Sequence, residues 1–183
     1  MKGRKNNYIF IIISLTILCI CTGCSSHRRT VKRGKSHNTH IKSDLTELKE
    51  IDKNLKGDEK LIIEEAMEWL GTPYSYGRQD KGVATDCSGF VMKVFEAALQ
   101  YKLPRNSAKQ SEFCDNVNSA KIRPGDLVFF ITNNGDKINH VGIMIDEVQF
   151  IHASTNGVKI SSLEQNFYKT HFQKFGRVPG IRH

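Results

Sequence analysis

The sequence lacks the features that mark an unusual protein. With 4 prolines and 14 glycines in 183 residues it is no collagen, and with 39% hydrophobic residues it is no wholly disordered chain. At this length a multi-domain assembly is excluded. Its longest apolar run, Tyr8 to Cys21, is 14 residues and is interrupted by Ser14 and Thr16. A bilayer-spanning helix needs roughly 20. Acid is absent from the start: nine Lys and Arg precede the first acidic residue, Asp44. Beyond that point 18 Lys and Arg face 19 Asp and Glu, so the overall charge of +8 becomes −1 over the remainder. A basic nucleic-acid-binding face is therefore not supported. Cysteine is scarce too. Of five, only Cys87 and Cys114 lie beyond residue 24, which leaves room for one bridge at most and for no disulfide framework.

What is present begins with an export signal. Lys2, Arg4 and Lys5 precede an apolar core from Ile9 to Ile20. The segment ends Cys21-Thr22-Gly23-Cys24-Ser25-Ser26. Small residues just before a cysteine resemble the lipobox of bacterial lipoproteins, whose cysteine receives a diacylglycerol while the leader is cut off before it. Cys21 stands where Leu is commonest in that pattern. Cleavage before Cys21 would put bulky Ile20 at the scissile bond, so Cys24 is the candidate. The resemblance implies a signal peptide over residues 1–23 and a lipid on Cys24. The protein would then be exported and anchored to a membrane facing the cell wall, in the outer membrane or elsewhere in the envelope. Residues 24–57 form the lipidated cysteine and a basic, polar tether. Leu45, Leu48, Ile51 and Leu55 suggest a short lead-in helix that Gly57 interrupts.

Residues 58–183 have the pattern of one α+β domain. Asp58 is placed to cap a helix through Leu70, and Gly71 to stop it. Phe90, Val91, Val94, Phe95, Ala98 and Leu99 form a stripe that predicts a helix from about Cys87 to Gln100. Asn106 or Ser107 caps a shorter one, to about Phe113. The period then changes. Strands are predicted over Leu127–Ile131, Val141–Ile145, Val148–Ala153 and Gly157–Ile160, with a last one around Lys174–Val178. Helices first and an antiparallel sheet after them give the α+β class.

The chemistry gathers at one cysteine and two histidines. Cys87 lies in Thr85-Asp86-Cys87-Ser88-Gly89-Phe90, at a predicted helix start. The helix dipole and free N–H groups there favour the thiolate and offer donors to an oxyanion. Such a nucleophile needs a base and a group to orient that base. If the turn at Asp146-Glu147 pairs its flanking strands, His140 and His152 come together. Taken singly, each residue has a plainer explanation: a buried cysteine, or a histidine satisfied within the sheet. A zinc site from Cys87, Cys114, His140 and His152 lacks the close paired spacing of structural ligands.

Six ordered segments narrow these alternatives. They are Gly71-Thr72-Pro73-Tyr74 with Tyr76-Gly77; Asp86-Cys87-Ser88-Gly89-Phe90; Leu103-Pro104-Arg105-Asn106-Ser107 with Gln110; Pro124-Gly125-Asp126 into Leu127; Asn139-His140-Val141-Gly142-Ile143; and Phe150-Ile151-His152-Ala153-Ser154. Together they resemble the NlpC/P60 family of cell-wall cysteine peptidases, over about residues 58–183. The resemblance implies a papain-like fold with N-terminal helices packed on an antiparallel sheet. It implies hydrolysis of peptidoglycan stem-peptide amide bonds through a thioester, between D-glutamate and diaminopimelate or in crosslinks, with no metal or organic cofactor. Cys87 matches the nucleophile, His140 the general base and His152 the third polar residue. Tyr74 matches a tyrosine that polarises the scissile carbonyl. Asp86, Ser88 and Arg105 match positions near the substrate pocket. Asp86 either holds a free amino group of the stem or caps the Cys87 helix, and Arg105 either meets substrate or pairs with a structural carboxylate. An amidase or acyltransferase of the same fold is the rival activity, and a non-catalytic wall-binding lipoprotein the rival of another class.

Overall fold

The computed structural model describes residues 55–182. The leader, Cys24, the tether up to residue 54 and nearly all of the lead-in helix lie outside the described residues.

Three helices precede the sheet. The first, α1, spans Gly57–Met67. It begins one residue before the expected cap, with Lys56 in the capping position, and it ends before Leu70. Asp58 is diverted from capping by the far end of the chain: its carboxylate accepts from the Arg182 backbone N–H at 3.0 Å and from the guanidinium at 3.2 Å. A two-stranded ribbon follows, β1 (Gln79–Asp80) against β2 (Ala84–Thr85). Helix α2 covers Cys87–Leu99, capped by Asp86, whose side chain accepts from the Gly89 N–H. Helix α3 covers Ser107–Phe113 and is capped by Asn106 in the same way, through the Lys109 N–H.

The remaining strands build one antiparallel sheet: β3 (Asp115–Val117), β4 (Leu127–Phe130), β5 (His140–Met144), β6 (Gln149–Ser154), β7 (Gly157–Ser162) and β8 (Phe172–Arg177). Their spatial order is β3-β8-β4-β5-β6-β7. Strand β3 and a short helix α4 (Asn166–His171) had not been expected from the pattern. The turn into β4 is held by Asp126, buried to 1% exposure. It accepts from the Arg123 N–H at 2.9 Å and takes Arg177 of β8 through two hydrogen bonds of 2.7 Å. Removing one member of such a buried pair typically costs about 3–5 kcal/mol.

Alternation along the strands sorts the side chains into two cores. Leu127, Phe129, Val141, Ile143, Ile151 and Ala153 face α1 and α2, where Phe90, Val91, Val94 and Phe95 complete the packing. Val128, Phe130, Met144 and Phe150 face the other way and are covered by Tyr168 of α4 and by Phe175. All four residues of β4 are consequently buried, which is why its sequence reads Leu-Val-Phe-Phe without a polar face.

Candidate active site

The nucleophile candidate is positioned by its neighbours in sequence. Residues 73–78 run beside residues 84–86: Ser75 donates its N–H to the Thr85 carbonyl, and the N–H groups of Thr85 and Asp86 donate to Pro73 and Arg78. This lays Tyr74 alongside the start of α2. The fit explains the glycine of the Cys-Ser-Gly run, because a Cβ on Gly89 would stand 2.6 Å from the Arg78 carbonyl oxygen. At the other end, the Gly71–Thr72 segment is tied to β7 by Gly71 N–H to Val158 O and Val158 N–H to Thr72 O, each 2.9 Å. Gly157 turns there at φ +98°, and a Cβ would meet Thr72 O at 2.9 Å.

Asp86 is the junction of this arrangement. Its oxygens accept from Gly77 N–H (2.8 Å), Gly89 N–H (2.7 Å) and the Arg105 guanidinium (2.9 and 2.7 Å), and Ser88 Oγ donates to it at 3.2 Å. Burial alone would raise this carboxyl, but Arg105 and the two backbone N–H groups outweigh it and hold it below its usual value. Asp86 caps α2, with both of its oxygens engaged. Arg105 likewise pairs with a carboxylate, and also donates to Ser88 Oγ and the Arg78 carbonyl. Gln110, which carried no assigned role, donates to the Ser88 and Pro104 carbonyls at 3.0 and 2.8 Å and so ties α3 to the start of α2.

Cys87 is buried and unbridged. Its Sγ lies 3.8 Å from the Asn139 carbonyl oxygen, directly before His140, and receives the Val141 N–H just after it. His140 opens β5 and His152 sits in β6. The register Ile143↔Ile151 brings the two rings onto one face, with His140 Nε2 2.7 Å from His152 Nδ1. That leaves His140 Nδ1 as its remaining ring nitrogen. Cys114 is not part of this cluster. It packs against Gly176 of β8, where an added Cβ would come within 2.7 Å of it. Among the described residues no group of three His, Cys, Asp or Glu is arranged to hold a metal.

The expected resting thiolate is not what the surroundings favour. Burial pushes the Cys87 thiol up to about 11, and the Asp86 carboxylate adds to it; the N–H groups of Val141, Ser88 and Cys87 oppose but do not overcome this. Burial also lowers His140 to about 4. His152 is carried well below its usual value by burial, with smaller contributions from His140 and Lys159. Burial thus pushes the thiol and both imidazoles toward their neutral forms. Tyr74 is raised by burial, then by Cys87 and Asp86, so its hydroxyl stays protonated and able to donate. A cavity of about 420 Å³ opens over Cys87 and Tyr74, lined also by Tyr76, Ser88, Arg105 and Asn139 among others.

Residues 71–177 match the model of the NlpC/P60 family. The chain belongs to the NlpC/P60 family. The "Probable endopeptidase NlpC homolog" of Haemophilus influenzae is 33% identical to it over 190 residues, covering 93% of this chain and 97% of that one. The "Murein DD-endopeptidase MepS/Murein LD-carboxypeptidase" of Escherichia coli K12 is 31% identical over 175 residues, covering 91% and 90%. Among solved structures, a lipoprotein-like NLP/P60 family protein from Staphylococcus aureus superposes with a TM-score of 0.62 at 28% identity, over 69% of this chain and 42% of that one. The NlpC/P60 α+β fold expected from the motifs is the fold observed.

A neutral Cys87 makes a direct prediction. Alkylation of the free protein by iodoacetamide, followed by peptide mapping at Cys87, should climb steadily with pH toward about 11. A rate that already levels off in the acid range would mean a resting thiolate–imidazolium pair instead.

Proposed function

We propose that the protein is a peptidoglycan hydrolase, a cysteine endopeptidase that cuts stem-peptide amide bonds through a thioester on Cys87. The observation that carries this is Cys87 at the N-terminus of α2, against the backbone on either side of His140, whose ring is hydrogen-bonded to His152 at 2.7 Å. The relatives' names, endopeptidases of murein among them, support the substrate class.

In this reading His140 Nδ1 takes the Cys87 proton as sulfur attacks the scissile carbonyl carbon. The carbonyl π electrons move to oxygen, and the Cys87 N–H and the Tyr74 hydroxyl donate to that oxyanion. Collapse of the tetrahedral species breaks the C–N bond, and His140 returns the proton to the leaving amine. Water, deprotonated by His140, then attacks the thioester carbonyl and restores the thiol. The neutral resting pair suits this order, because the base is empty when the substrate arrives. Arg105 and Asp86 neutralise one another beside the thiol, so the cavity wall presents a paired rather than a free carboxylate to the stem peptide. The bond between D-glutamate and diaminopimelate, or one within a crosslink, is the proposed target.

The proposed location is a membrane face toward the wall. Residues 1–23 act as signal peptide, Cys24 carries the lipid, residues 24–57 are the tether and residues 58–183 the catalytic domain. Two or three acyl chains anchor firmly where one does not, at roughly 0.8 kcal/mol per buried methylene. A coil of the length of residues 25–43 spans on the order of 25 Å, so the enzyme works on wall close to its membrane.

Digestion of purified sacculi with mass spectrometry of the muropeptides tests the activity. Cys87→Ala should abolish product. His140→Ala should lose about 10²–10⁴-fold, the usual worth of a general base, and His152→Ala less. Undiminished digestion by Cys87→Ala would end the mechanism, and the reverse order of the histidines would exchange their roles. For location, Cys24→Ala should lose incorporation of a fatty-acid analogue and leave the membrane fraction or remain uncleaved. Unlabelled wild-type protein that salt washing releases would contradict the lipid anchor.

A further inference from the structure

The hydrogen-bonded pair His140–His152 has further partners behind His152. His152 Nε2 lies 3.0 Å from Ser161 Oγ and 3.1 Å from the Tyr168 hydroxyl. All three residues are buried, at 1%, 4% and 7% exposure for His152, Ser161 and Tyr168. The β6–β7 register, His152↔Lys159 and Phe150↔Ser161, puts Ser161 on the same sheet face as His152, and α4 brings Tyr168 over that face. The Ser161 hydroxyl also hydrogen-bonds the Tyr168 oxygen.

A neutral imidazole carries one hydrogen, and only one hydrogen fits between His140 Nε2 and His152 Nδ1. If it belongs to His140, the Nδ1 of His140 is bare and can take a proton from Cys87. His152 must then carry its own hydrogen on Nε2 and donate it to an oxygen. If the shared hydrogen belongs to His152, His140 carries its hydrogen on Nδ1 and the base is blocked. His152 Nε2 therefore decides whether the base is available. The two hydroxyls act on it in opposite senses. A serine oxygen accepts as readily as it donates, whereas a phenol is the better donor and poorer acceptor.

We propose that Ser161 is a positioning residue that accepts the Nε2 hydrogen of His152 while giving its own to the Tyr168 oxygen, and that this keeps His140 in the tautomer with a bare Nδ1. Without Ser161, the Tyr168 hydroxyl becomes the remaining partner of Nε2 and donates into it. Both rings then exchange tautomers and His140 Nδ1 is occupied. The inference rests on His140 being the base. It concerns protons alone, and no other reactant is involved.

Two readouts test it. In wild-type protein labelled with ¹⁵N-histidine, long-range proton–nitrogen correlation at near-neutral pH should show His152 Nε2 as the protonated, pyrrole-type nitrogen and His140 Nδ1 as pyridine-type. In Ser161→Ala both assignments should reverse. On purified muropeptides Ser161→Ala should lower kcat about 10–100-fold, the range for losing a hydrogen bond that orients a functional ligand, with KM within about twofold. Adding Tyr168→Phe to Ser161→Ala removes the donor and should recover part of the lost kcat. A pyridine-type His152 Nε2 in the wild type overturns the proposal, as does an unreversed pattern in Ser161→Ala. So does a double variant slower than the single one, the result expected of packing losses that merely add. The nitrogen shifts need no substrate, so wild-type protein that cuts no muropeptide would overturn the proposed function while NMR still decides the tautomer.

Discussion

The carboxylate of Asp86 is the constraint on which the site depends. One side chain closes the N-terminus of α2, holds the Gly77 turn and pairs with Arg105 ahead of α3. Three segments distant in sequence are thereby brought together within one residue of the nucleophile. A buried charge is tolerated only when its hydrogen-bonding capacity is filled, and here four donor groups besides Arg105's second nitrogen fill it. The same negative charge, immediately before Cys87, adds to the burial that keeps the thiol protonated. The interaction that positions the nucleophile thus also reinforces the upward shift that burial gives its thiol.

The sheet supplies the other half. Because it is covered on both faces, His140 and His152 are surrounded by protein, with Phe130, Phe150 and Tyr168 rings 4.9 to 5.9 Å from one or the other. Removal from water disfavours the imidazolium in both. Hydrogen bonds in such surroundings are stronger than in water and must be satisfied, which makes the direction of each one consequential. The pair at 2.7 Å, followed by Ser161 and Tyr168, is a buried polar network set inside an otherwise apolar core.

Much of this was legible in the sequence. The stripe from Phe90 to Leu99 predicted α2, Asn106 was one of the two caps expected for α3, and the strands carrying His140 and His152 fell within a residue or so of their observed limits. Their meeting was expected if the turn at Asp146-Glu147 paired the flanking strands antiparallel, as it does. What escaped depends on distant partners. Strand β3 is three residues long and exists only by pairing with β8, more than fifty residues on. Asp58 fails as a cap because Arg182 claims it. Helix α4 has a single buried residue, Tyr168, so it carries no stripe to detect. Ser161 and Tyr168 left no signal for the same reason, since only the folded register sets them against His152. The upward shift of the Cys87 thiol escaped because a helix start argues for thiolate, while burial, which only the fold decides, pushes the other way.

The claim on which the whole account turns is that the Cys87 sulfur becomes covalently bonded to the stem peptide. Mixing the protein with purified muropeptides, quenching in acid within the first turnover and measuring intact and peptide-mapped mass tests it most directly. The account predicts a transient adduct equal to the acyl portion of the stem, located on Cys87 and absent from Cys87→Ala. Product released during that turnover with no adduct on any residue, or an adduct located elsewhere, would contradict it.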